Sequence, residues 1–341
     1  MDYPLLWFVL WGVLWTAYFV TGGFDLGAGM LLFHLGKTEG KKQALLESFG
    51  PLWNGNEVWL ITAGGATFAA FPTAYAVMFS SFYIPFLLIL FALIVRGVAL
   101  EFREKLSAST WQTVCNAAIV AGSAITAFLF GVIFGNLFQG LPMDNRGFSG
   151  SFPQLLNPYA LLTGFLFSLL FLMHGSLWIA FRTEGDLALR AAAFARHCWI
   201  PLATAVILFF LFSGFKTHLF VNYLHNAFLF AFPALSLLAL TAVMFYLKKS
   251  AFLKAFVASG LNVILLMTTA FFGLFPNLLP SLTDPVFNIT VFNAASNPYT
   301  LKIMTVVAAI FVPLILFYQS WIYRIFKEKI PAEGSGENLY L

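Results

Sequence analysis

What most constrains this chain is how far apart its charges lie. Nine long runs, each with few or no ionisable side chains, cover 5–33, 51–71, 77–96, 114–137, 159–181, 199–215, 227–247, 255–275 and 301–323, with short polar stretches between them. A helix of about 20 residues crosses about 30 Å of hydrocarbon, and only helices or closed barrels satisfy their own backbone polar groups there. The runs have helical length, so the sequence predicts an all-α integral membrane protein. It would have nine transmembrane helices in one polytopic domain over residues 1–330. Composition excludes the soluble alternative: 60% of the residues are hydrophobic and only 9% are Asp, Glu, Lys or Arg, against roughly 25% charged in soluble domains. The second run is the least apolar, because Asn54, Asn56, Glu57 and several glycines interrupt it.

Basic residues mark cytoplasmic loops and so orient the spans independently of hydropathy. With nine crossings, one side collects Lys37, Lys41, Lys42, Arg96, Arg103, Lys105, Arg182, Arg190, Arg196, Lys248, Lys249, Lys254, Arg324, Lys327 and Lys329, fifteen of the eighteen. The other side holds Arg146, Lys216 and Lys302, and its longest loop, 276–300, has no Lys or Arg. The N-terminus is therefore expected outside and the C-terminus in the cytoplasm. The first run has no short apolar core followed by a cleavage site, so it reads as an uncleaved span. Residues 331–341 form a polar tail whose last part, GSGENLYL, reads as a linker and a piece of a protease-recognition tag. The end of the fourth run, 134–142, loosely echoes the end of the eighth, 272–280. Two four-helix units plus a ninth helix would explain the echo, and coincidence in a Phe-rich chain explains it equally well.

The net charge of +4 is scattered rather than gathered on a face, which sets nucleic acid aside. Cys115 and Cys198 lie far apart with no CxxC, so they build no iron–sulfur or zinc site alone and read as packing thiols. Charges at membrane depth cost roughly 2.5–3.5 kcal/mol each on insertion scales and so need a partner, water or a function. Asp25 lies about 12 Å and Glu57 about 9 Å from the inner ends of their runs at 1.5 Å per residue. Asn54 stands one turn before Glu57, and Arg96 and Glu101 stand at the inner end of the third run. These groups suit a hydrated proton path from the cytoplasm. They equally suit a salt-bridge cluster, Arg96 with Glu57 or Asp25, that fixes three spans together. Gly23 and Gly27, with Gly22 and Gly29, allow close helix approach, with a ligand contact as the second reading. Of five histidines only His174 is at clear membrane depth, and Met173 beside it points elsewhere, so a hydrogen-bonded structural His is favoured over a haem ligand. No residue reads as catalytic or metal-binding in this chain.

Several motifs closely resemble subunit II of the cytochrome bd-type quinol oxidases. They are Gly23–Gly29 (GFDLGAG), Trp53–Gly65 (WNGNEVWLITAGG), Phe68–Pro72, Tyr75–Ala76, Arg96–Arg103 (RGVALEFR) and Phe134–Gly140. The resemblance implies a heterodimer in the bacterial inner membrane that oxidises quinol and reduces O2 to water. In that family the haem-bearing subunit I holds haem b and haem d. Subunit II completes the complex, helps carry protons, and in some members holds a structural quinone. Lipid and a small third subunit are further partners that the motifs leave open. On this resemblance the proton path comprises Asp25, Asn54, Glu57 and Glu101, supported by Arg96, Trp53 and Trp59. One departure stands out. Many members have Asp at position 54, whereas here the carboxylate is Glu57, which replaces a Gln found in some relatives. The competing class is a proton-coupled secondary transporter, which would also show intramembrane acids, glycines and an internal repeat.

Overall fold

The computed structural model describes residues 2–106 and 108–334, so positions 335–341 of the expected tail lie outside the described residues. The chain folds as α1 (Tyr3–Met30), α2 (Leu32–Leu35), α3 (Glu39–Phe49), α4 (Trp53–Ala70), α5 (Pro72–Ser81), α6 (Tyr83–Phe102) and α7 (Ser109–Gln139). There follow α8 (Pro158–Arg182), α9 (Gly185–Lys216), α10 (Val221–His225), α11 (Ala231–Lys248), α12 (Phe252–Leu274) and α13 (Pro298–Ile325). Among the described residues eight of these, α1, α6, α7, α8, α9, α11, α12 and α13, belong to segments long and apolar enough to cross a membrane. The expected second crossing is α4, with 18 residues. That is about 27 Å at 1.5 Å per residue, but its polar residues and glycines leave it less apolar than the others.

Local chemistry sets the ends. The Asp2 side chain accepts from Leu5 N at the start of α1, Thr38 from Lys41 N at α3, and Asn157 and Asn297 cap α8 and α13 just before a proline. α4 stops at Phe71 because Pro72 opens α5. The third crossing departs from the expected 77–96. A separate short helix takes 72–81, the chain breaks at Phe82, and the crossing begins at Tyr83. No charged residue and no proline marks this junction, and two serines, Ser80 and Ser81, are too short an interruption for hydropathy to register as a break. At its other end α6 runs on to Phe102, so Arg96 is not at the helix end but six residues before it, about 9 Å inside.

The core lies where α1 crosses α8. Their backbones meet at Gly27 and Gly175: a Cβ on Gly27 would sit 1.8 Å from the Phe171 carbonyl oxygen, and one on Gly175 2.3 Å from Ala28 N. Helices in lipid gain little from apolar burial against one another, so such close backbone contact supplies their packing energy. Above the crossing, Phe19 sits edge-on to Phe134 at 4.9 Å and to Phe167 at 5.1 Å, which knits α1, α7 and α8. The glycine spacing in α1 is thus close packing, the first of its two readings.

The C-terminal ends of α7 and α12, the two echoing segments, run into short antiparallel hairpins, β1 (Met143–Asp144) with β2 (Gly147–Phe148) and β3 (Asn277–Leu279) with β4 (Ile289–Thr290). These loops join through Leu141, whose N–H donates to Pro280 O and whose carbonyl accepts from Leu282 N, both at 2.9 Å. α13 differs from the other crossings, since Leu301 is its only buried residue. At the opposite end Ile330 bridges Thr183, and Thr38 Oγ1 donates to a Glu333 carboxylate oxygen at 3.0 Å, so the first residues of the expected tail lie against the body.

Candidate functional site: a buried arginine between two carboxylates

The depth of Arg96 brings its guanidinium between two acids. Nη2 donates to Asp25 Oδ1 at 2.9 Å and Nη1 to Glu57 Oε1 at 3.3 Å, while Nε donates to Ser123 Oγ on α7 at 3.1 Å. The Phe49 ring lies 5.9 Å from the guanidinium carbon, a cation–π distance. The other oxygen of Asp25 accepts from Asn56 Nδ2 at 2.9 Å, and Asn56 Oδ1 accepts from the Tyr323 hydroxyl of α13, also at 2.9 Å. Side-chain exposure is 0% for Arg96 and 1% for Asp25 but 21% for Glu57. Four crossing helices and α4 thus converge on one charge cluster, with Glu57 as its accessible edge.

The composition of the cluster decides what it can do. Arginine keeps its proton at any accessible pH, so with both acids ionised the three groups sum to one negative charge, and one added proton makes them neutral. Burying charges is expensive unless they are paired and hydrogen-bonded. A cluster of two carboxylates and one guanidinium is therefore suited to take up and release one proton while the arginine holds the geometry.

The expected site residues divide. Asp25, Glu57 and Arg96 are brought together. Trp53 is buried, with its ring 3.0 Å from the Cβ position of Gly97, next to Arg96. Trp59 Nε1 donates to Gln319 Oε1 at 2.9 Å and so ties α4 to α13. Asn54 is exposed on α4, and the amide inside the cluster is Asn56. Glu101 is half-buried, and no hydrogen bond or ion pair among the described residues links it to the cluster. Asn56, Tyr323 and Ser123 escaped the sequence reading. A signal for Asn56 existed: Trp53, Asn56, Trp59, Ala63, Thr67 and Ala70 are the buried residues of α4, and their three- and four-residue steps form a stripe that includes 56 and omits 54.

A second arginine lies seven residues on, just past the end of α6. Arg103 Nε donates to Asn116 Oδ1 at 2.7 Å and Nη1 to Gln43 Oε1 at 3.3 Å, and the guanidinium is ion-paired with Glu39 and Glu104. Arg96 and Arg103 thus pair with Ser123 and Asn116, two residues of α7 with the same separation. Partial burial pushes the Glu39 carboxyl up, but hydrogen bonds from Lys42 and the charge of Arg103 outweigh it and hold the group below its ordinary value.

His174 is fully buried, and both its ring nitrogens are engaged. Nδ1 is 3.1 Å from Ser259 Oγ, Nε2 is 3.2 Å from Val20 O, and the ring stacks on Phe256 at 4.5 Å. A carbonyl only accepts, so Nε2 carries the proton and Nδ1 accepts from the serine. This is the hydrogen-bonded structural histidine expected, and it offers no free nitrogen to an iron. Among the described residues no group of three His, Cys, Asp or Glu could hold a metal ion. Cys115 and Cys198 are both buried free thiols.

Comparison with known proteins agrees with this architecture. The cytochrome bd terminal oxidase subunit II family matches residues 3–326. The chain is 36% identical over 326 residues to cytochrome bd ubiquinol oxidase subunit 2 of Bacillus subtilis (strain 168), covering 95% of this chain and 96% of that one. It is 35% identical to cytochrome bd-I ubiquinol oxidase subunit 2 of Escherichia coli (strain K12), with 100% of both chains covered. Its fold is similar to a chain of the bd oxidase from Geobacillus thermodenitrificans, with a TM-score of 0.79 at 16% identity over 96% of this chain and 99% of that one. The chain belongs to the cytochrome bd terminal oxidase subunit II family. It is a multi-pass protein of the bacterial inner membrane and acts as one subunit of a haem-containing quinol oxidase of the respiratory chain. The transporter alternative finds no support.

Proposed function

We propose that this chain carries protons from the cytoplasm towards the oxygen-reducing haem of subunit I through Asp25 and Glu57. Arg96 holds the two acids at hydrogen-bond distance. The observation that carries this reading is the uneven charge balance of the cluster, two buried or half-buried acids around one guanidinium, with Glu57 as the partly exposed member. Glu101, near the cytoplasmic end of α6, receives protons from water, Asn54 on α4 supports the water of the path, and Trp53 and Trp59 seat α4 beside them. Haem b and haem d are held by the partner, in keeping with the engaged nitrogens of His174.

The topology that serves this function has nine crossings, α4 being the second, in one domain over residues 1–330, with the N-terminus outside and the C-terminus in the cytoplasm. The packing of α1 on α4 and α6 on α7, repeated by α8 on α9 and α11 on α12, supports two four-helix units with α13 as the ninth helix. An apolar groove of about 890 Å³ runs between α13 and α1, α4 and α12, with Thr16, Thr21, Thr62, Thr268 and Gln319 as its polar points. It is the place in this subunit for a structural quinone, whose long apolar tail and few acceptors it matches. Lipid and subunit I cover the remaining exposed apolar faces.

The test is oxygen consumption per haem in purified complexes. Asp25→Asn and Glu57→Gln keep shape and remove the ionisable group, so each should lower turnover at least tenfold, the effect of about 1.4 kcal/mol on a barrier, with normal haem content. If the cluster only packs helices, yield or stability falls while the surviving enzyme turns over at the wild-type rate.

A further inference from the structure

The Asp25 carboxylate touches one residue whose hydrogen-bonding sense is reversible. Asn56 is 1% exposed and spans two partners, giving its Nδ2 to Asp25 Oδ2 and accepting the Tyr323 hydroxyl on Oδ1. An ionised carboxylate only accepts and an amide nitrogen only donates, so this is the single arrangement that satisfies all three groups while Asp25 is charged. When Asp25 binds a proton, its new O–H needs an acceptor. Turning the amide over presents Oδ1 to Asp25 and Nδ2 to Tyr323, and the tyrosine hydroxyl, which both donates and accepts, then takes the amide N–H. Of the other groups around Asp25, Arg96 from α6 and the backbone N–H of Leu26 only donate, Glu57 is held by Arg96, and the buried Tyr18 of α1 has no hydrogen bond to Asp25 among the described residues.

Resting on the proton-carrying reading above, we infer that Tyr323 is a positioning residue for Asp25. Through the reversible amide of Asn56 it keeps the site hydrogen-bonded in both protonation states. The assignment also gives α13 a task. This helix buries only Leu301, yet Tyr323 reaches the cluster from it, and Gln319 Nε2 one turn away donates to Gly55 O at 2.7 Å and so holds that end of the helix against α4. Without the hydroxyl, one end of a buried amide would lack a partner in whichever state Asp25 adopts, and a buried polar group left unpaired is costly.

Two variants and their combination test this in the assembled oxidase. Tyr323→Phe should lower kcat for oxygen consumption about fivefold, the scale of one neutral hydrogen bond, with the KM for quinol and the haem content unchanged. Asn56→Leu, which removes the amide, should lower kcat at least as much. The double variant should be no slower than Asn56→Leu, because Tyr323 acts through that amide. In the wild-type complex, an infrared difference spectrum between the two states of Asp25 should show an asparagine side-chain carbonyl band that is absent in Asn56→Leu. A full-rate Tyr323→Phe beside a slow Asp25→Asn would overturn this inference alone, and a full-rate Asp25→Asn would overturn the proton-carrying reading with it. Multiplying effects of the two substitutions, or a silent amide region in the infrared spectrum, would likewise overturn it, the latter even if Tyr323→Phe fails to assemble.

Discussion

At the scale of residues, Arg96 has more partners than any other side chain in the cluster, with bonds to Asp25, Glu57 and Ser123. Removing one member of a buried charge network leaves the rest uncompensated, whereas removing all of its charges together can be close to neutral. Arg96→Met should therefore cost about 3–5 kcal/mol, read as loss of assembled complex or a lower unfolding midpoint. The triple variant Arg96→Met, Asp25→Asn, Glu57→Gln should recover most of the assembly while staying inactive. The acids were legible in the sequence because a charge inside an apolar run must be explained. Asn54, three residues back from Glu57, looks from the sequence to share its face, yet it is exposed on α4 and the amide that contacts Asp25 is Asn56. The face that matters is set by Trp53, Trp59 and Ala63, which pack inward. Tyr323 could not be found from its own surroundings, since its partner lies 267 residues away in the chain.

At the scale of elements, run lengths match the eight helices long and apolar enough to cross a membrane and miss one junction. The break at Phe82 separates α5 from α6, and Ser80 and Ser81 alone, with no charge or proline, give hydropathy no edge to find there. The continuation of α6 past Arg96 to Phe102 is what sets that arginine inside the helix, so the cluster depends on a boundary that composition does not encode. α3 is the other element of consequence, because its Phe49 packs on the Arg96 guanidinium. Its Lys41 pairs with Asp186 at 2.7 Å, next to the start of α9. On α3, outside the crossings, partial burial pushes the Glu39 carboxyl up, but the hydrogen bond from Lys42 and the charge of Arg103 hold it below its ordinary value. Groups with a lowered folded value contribute stability above their unfolded value, near pH 4, and lose it as pH falls through the folded one. Amide exchange in α3 should therefore be constant from neutral pH down to about pH 4, after correction for the intrinsic rate. It should then rise in more acidic solution, while α8 stays protected. Equal protection of both helices at low pH would contradict the role given to this acid.

For the whole molecule, hydropathy and the basic residues led to the same architecture, and eight of the nine expected crossings meet the length and apolarity of a span. The ninth, α4, is weak by hydropathy for the reason that makes it useful: Asn56 and Glu57 belong to the charge cluster. A reporter fused within 276–300 should lie outside the cytoplasm and one beside Lys248 inside it. Placement of both on one side would remove α4 or another helix from the membrane. The arrangement also gives this subunit a task in the oxidase, since it brings titratable groups from separate helices together.

The most direct test of that claim is proton uptake from the inner side per O2 consumed, measured in vesicles holding the oriented complex. The double variant Asp25→Asn, Glu57→Gln should consume oxygen at a small fraction of the wild-type rate, with inner-side uptake falling in step and haem content intact. Wild-type turnover with full uptake from the inner side in that variant would contradict the account.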